Sequence, residues 1–105
     1  MGDYLTFWVN LPVGGTYDVQ VVVRRKNDRA KVKLYTSTGY NNTATWIQIG
    51  GEKNMSNGST TPDYFTLDFG VVALADGNNS FKFVVSTVGP AGSRISVDAI
   101  KLFQQ

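Results

Sequence analysis

Apolar and polar residues alternate along most of this chain with a period of two. Leu5, Phe7, Val9 and Leu11 would share one side of an extended strand, and Thr6, Trp8 and Asn10 the other. Tyr17, Val19, Val21 and Val23 form a second such face, and Ala30, Val32 and Leu34 a third. Phe65, Leu67 and Phe69, then Phe81, Phe83 and Val85, bring the most apolar bulk. No window of helical length keeps a clean helical period. The pattern predicts strands near residues 3–11, 16–25, 30–36, 44–49, 64–74, 80–87 and 94–103, with essentially no helix.

Between these runs stand turn residues. "PVGGT" and "ADGNN" supply glycine and asparagine, which tolerate positive φ. "KNDR" predicts a hairpin between the second and third strands, and "VGPAGS" predicts another before the last. Residues 50–62, "GGEKNMSNGSTTP", read as the one long loop. Strands at this spacing predict an all-β fold, an antiparallel β-sandwich or jelly roll. With no repeat and no linker, residues 1–105 read as one domain.

Composition narrows the chemistry. The 105 residues include no cysteine and no histidine, which removes disulfides, histidine-based triads and ordinary zinc sites. No apolar run approaches the ~20 residues that span a bilayer. Met1 is followed at once by "GDYLTF", without the charged start, apolar core and cleavage site of an export signal, as in a domain cut from a longer protein. The net charge is only +2, yet Arg24, Arg25, Lys26, Arg29, Lys31 and Lys33 crowd into one short stretch beside a single acid, Asp28. Such a run is either a solvated edge that resists aggregation or a landing site for an anion.

The string "GDYLTFWVNLPVGGTYDVQVVVRR" resembles the opening of the galactose-binding-like jelly rolls, among them family 6 and family 35 carbohydrate-binding modules and ancillary domains of polysaccharide lyases and glycoside hydrolases. "FGVVALADGNNSFKFVVS" and "ISVDAIKL" are similar to later strands of the same group. The resemblance implies a non-catalytic module that targets an appended polysaccharide-degrading enzyme to its glycan. It also implies an extracellular or cell-surface location within a larger secreted protein. In many relatives a structural calcium is held partly by a C-terminal aspartate; here only Asp98 matches. One carboxylate does not make a calcium site, so no metal and no cofactor is expected. An open sheet edge, able to recruit another chain, is expected where an additional first strand would lie.

By the same resemblance, the stacking aromatic of a loop-end sugar site maps to Tyr64. Further contact positions map to Ser93 and Arg94 and to Arg24, Arg25, Lys26 and Asn27. An aromatic ring takes the apolar face of a pyranose, and a guanidinium suits a carboxylate, so an acidic sugar is the expected ligand if these places converge. Tyr64 would otherwise be an ordinary packing aromatic. "GYNNTATW" adds Tyr40, Asn41, Asn42 and Trp46 as further sugar-site candidates, though amides and glycine also suit any tight connection. Trp8 is a platform for glycan on the sheet face, a contact to a neighbouring domain or second copy, or a core residue admitted by a bulge.

Rival functions fare less well. A glycosidase needs two carboxylates facing one cleft, and the eight acids are scattered singly. A net charge of +2 and the lack of a matching motif argue against nucleic acid as a partner. The chief alternative is a structural or oligomerising β-sandwich without glycan affinity, associating through the Trp8 face or an open edge.

Overall fold

A strand with one apolar face needs a second layer to cover it, and these strands meet that need in two sheets. The computed structural model describes residues 4–38, 45–88, 92 and 94–105. Its strands are β1 (Tyr4–Leu11), β2 (Gly15–Arg25), β3 (Lys31–Thr38), β4 (Ile47–Asn54), β5 (Asp63–Leu74), β6 (Gly77–Thr87) and β7 (Val97–Gln104). One sheet has four strands in the order β1-β6-β3-β4; the other has three in the order β5-β2-β7. All the pairings are antiparallel. The result is the antiparallel β-sandwich of jelly-roll type that the alternation predicts, with no helix among the described residues.

The expected hairpins are corrected. Only β3 and β4 are consecutive strands of one sheet, so the connection at "KNDR" and that from β6 to β7 cross from one layer to the other. Crossing is what single-faced strands favour, because the apolar sides of successive strands then face each other across the interior. The fourth strand is also longer than its predicted span and takes up the first part of the supposed loop. Leu34 pairs with Ile49 and Val32 with Lys53, so three residues of β4 stand against one of β3. Gly50, at φ +63°, allows this bulge, and pairing resumes beyond it.

Val19, Val21, Val23, Val32 and Leu34 are fully buried, facing Phe69, Phe81 and Phe83. Phe69 meets Phe83 edge-on at 6.0 Å, and Phe7 stacks on Phe81 at 5.4 Å. Leu5 and Phe65 have the expected inward parity but lie where the core thins, and both remain exposed. The two flanks of the sandwich differ. On one, β4 packs closely on β5, and a Cβ at Gly50 would fall 2.0 Å from the Phe69 carbonyl oxygen. On the other, β1 and β7 are separated by a groove of about 380 Å³.

Candidate functional site

The sequence-derived candidates fall in two places. The first is the end of the sandwich where β2 passes to β3, β4 to β5 and β6 to β7. Main-chain bonds stitch these connections together. Asn27 N–H donates to the Ser59 carbonyl at 2.8 Å, Met55 N–H to Ala30 at 3.0 Å, Arg94 N–H to Asp28 at 3.1 Å and Ala30 N–H to Arg94 at 3.1 Å.

Arg29 is the anchor of this end. Only 2% exposed, it donates through Nε to the Arg24 carbonyl at 3.0 Å and through Nη1 to Asp28 Oδ1. Arg25 is committed as well. Its Nε and Nη2 bind both oxygens of Asp63, at 3.0 and 2.8 Å, and its guanidinium lies 4.0 Å from the centre of the Phe65 ring. That hydrogen-bonded pair holds the Asp63 carboxyl below the usual carboxylate range and raises the Arg25 guanidinium.

Arg94 is 70% exposed, with Nε 3.8 Å from Asp28 Oδ2. Lys26 is half-buried in the connection from β2 to β3. Tyr64 is 65% exposed, but it stands opposite Arg24 on the outer face of the three-stranded sheet, one parity step from Arg25 and Phe65. The aromatic and the guanidiniums thus occupy neighbouring surfaces of this end.

The second place is the outer face of the four-stranded sheet. Trp8 points outward, 51% exposed, so it has not been admitted to the core. It pairs with Ser80, Ser80 pairs with Ser37, and Trp46 extends the same row one step beyond the Thr36 to Ile47 pair. Trp8 and the half-buried Trp46, just before β4, therefore flank two buried serines, 4% and 5% exposed, over a span of about 14 Å at ordinary strand spacing. The next row is Thr6, Lys82, Tyr35 and Gln48. Lys82 Nζ sits 4.5 Å from the Trp46 ring centre, 5.9 Å from Tyr4 and 6.0 Å from Tyr35.

This face offers flat apolar rings set among hydroxyl, amide and ammonium groups. Its acid, Glu52, lies at one corner, where Ser86 and Thr87 donate to it and hold its carboxyl below the usual range. Tyr40, Asn41 and Asn42 lie outside the described residues, as does Ser93. Sequence reasoning missed Lys82 and Tyr35. Each has the outward parity of its strand, but only the order β1-β6-β3-β4 brings them between the tryptophans. Among the described residues, no cluster of three or more acidic, cysteine or histidine residues is grouped as metal ligands would be. No described helix is long and apolar enough to cross a membrane.

No family model matches the sequence, and no curated protein matches it. Solved structures do. A family 35 carbohydrate-binding module from an environmental isolate aligns at TM-score 0.67 and 17% identity, over 99% of this chain and 67% of its own. The GH26-CBM35 β-(1,4)-mannanase of Podospora anserina aligns at TM-score 0.65 and 15% identity, over 99% of this chain and 20% of the mannanase. A structure described as Xyl-CBM35 in complex with a glucuronic acid containing disaccharide aligns at TM-score 0.54 and 18% identity, over 96% of this chain and 66% of its own. The fold of this chain is that of the family 35 carbohydrate-binding modules, a galactose-binding-like jelly roll.

Proposed function

We propose that this chain is a non-catalytic carbohydrate-binding module, carried by a larger secreted polysaccharide-degrading protein and holding that protein on its glycan. The observation that carries the reading is the pair of outward rings, Trp46 and Trp8, set either side of the buried Ser37 and Ser80, with Lys82 among the rings. The Trp8 ring stands on a paired strand and is held rigidly, and stacking on sugar faces needs that rigidity more than it needs depth. The exposed Thr6 hydroxyl and Gln48 amide of the neighbouring row suit sugar hydroxyls, and Lys82 with Lys33 favours a glycan that bears carboxylates. The fold shared with modules appended to or complexed with such partners supports the same reading. A non-catalytic role is supported by the carboxylates themselves, since Asp28, Glu52 and Asp63 are each engaged by a different neighbour.

Affinity electrophoresis and tryptophan fluorescence against neutral and acidic polysaccharides test this. The expected result is retardation by an acidic glycan, weakened by Trp8→Ala and by Trp46→Ala and reduced as salt rises towards about 1 M. Loss with Tyr64→Ala or Arg94→Ala alone would move the site to the loop end. Retardation by none of the panel would overturn the reading.

A further inference from the structure

Arg25, Arg29 and Arg94 each face a carboxylate of the chain, Asp63 for the first and Asp28 for the other two. Lys82 does not. Among the described residues no carboxylate lies within ion-pair reach of its Nζ and no hydrogen bond is made to it. It stands half-buried on β6, and its ammonium has rings for neighbours: Trp46 at 4.5 Å, Tyr4 at 5.9 Å and Tyr35 at 6.0 Å. Ring faces attract an ammonium through their quadrupole, yet they leave its N–H groups without an oxygen partner. Glu52, the acid at the corner of this face, is taken by Ser86 and Thr87. The rings therefore steady a cation whose donors stay open to an anion.

The same contacts divide the two tryptophans. Trp46 is half-buried and turns a ring face to the Lys82 ammonium, which leaves no room for a pyranose between them. Trp8 is 51% exposed and stands opposite Ser80, so Lys82 is its diagonal neighbour on β6, at about 7–8 Å between backbones. A sugar ring resting on Trp8 lies within reach of the Lys82 side chain. We propose that Lys82 is the residue by which this face selects a carboxylate-bearing sugar, that Trp46 is a positioning residue for Lys82, and that Trp8 is the stacking platform. This assignment rests on the glycan reading of the face and divides its labour: Trp8 supplies affinity that ignores charge, and the Trp46 and Lys82 pair supplies the discrimination between a uronate and its neutral counterpart.

The test is affinity electrophoresis on glucuronoxylan, polygalacturonate and alginate, each beside its carboxyl-reduced form. Lys82→Met keeps an unbranched chain packed on the rings and removes the charge. The parent should prefer an acidic form by about tenfold over its reduced counterpart, and Lys82→Met should bind both as the parent binds the reduced one. Lys82→Arg and Trp46→Phe should keep the preference, because a cation and a ring face remain. Trp46→Ala should lose it, a second readout in a variant changed outside the strands, whereas Trp8→Ala should weaken both forms alike. A parent without preference, or a preference that survives Lys82→Met, overturns the proposal and leaves the glycan reading standing so long as Trp8→Ala still weakens binding. Loss of both forms with Trp46→Ala makes that ring a stacking platform and overturns its positioning role. Binding to none of the pairs, or binding indifferent to Trp8, overturns the reading of the face itself.

Discussion

The basic end of the sandwich and the aromatic face of its four-stranded sheet carry the two concentrations of chemistry in this chain, and they spend it differently. At the basic end, cations are consumed by the fold. Arg29 is buried against Asp28 and a carbonyl, and Arg25 is held by Asp63 and Phe65. On the aromatic face, Trp8 and Tyr4 stay exposed, and Lys82 is held near rings rather than by a carboxylate. Charge density along a sequence therefore does not measure charge available to a ligand. What matters is whether the local topology supplies internal partners.

The comparison breaks first at Arg29. Arg29→Ala removes a buried cation and leaves the Arg24 carbonyl unpaired, and should cost about 3 kcal/mol in urea unfolding while leaving glycan affinity of the folded protein unchanged. Next comes Trp46→Ala, which should lower glycan affinity about tenfold with little change in stability, as titration of tryptophan fluorescence would show. An equal loss of affinity in both variants would erase the distinction between a structural end and a binding face.

The smallest effect belongs to the Arg25 and Asp63 pair. Because the folded Asp63 carboxyl titrates below its unfolded value, the stability it adds is complete above the ordinary carboxylate range and is lost as pH falls through the lower, folded value. Melting curves of the parent and Asp63→Asn should accordingly differ near neutral pH and converge in acid. The pair is exposed, so the gap should be small and shrink with salt.

The strands were legible because each one buries a single side, and alternation in β2, β3 and β6 states this residue by residue. Their partners were not. Adjacent strands suggest hairpins, whereas the layer crossings depend on long-range burial that no short window contains. The outward course of Trp8 was readable from parity. Its row with Ser80, Ser37 and Trp46 was not, since those residues come from β1, β6, β3 and the residue before β4. Arg29 was hidden for another reason. Within a run of cations nothing local distinguishes the one that the loop connections of the same end will enclose.

Gly50 has a further consequence. Where its missing side chain lets β4 approach the Phe69 carbonyl, the two sheets are held at backbone distance along one flank, while among the described residues β1 at the opposite flank is strand-paired on one side only. The sandwich should therefore breathe like a book bound along one spine. Amide protons of β1 should exchange through brief local openings that leave β3, β4 and β5 closed, and the Phe7 stack on Phe81 is the first core contact that each opening would part.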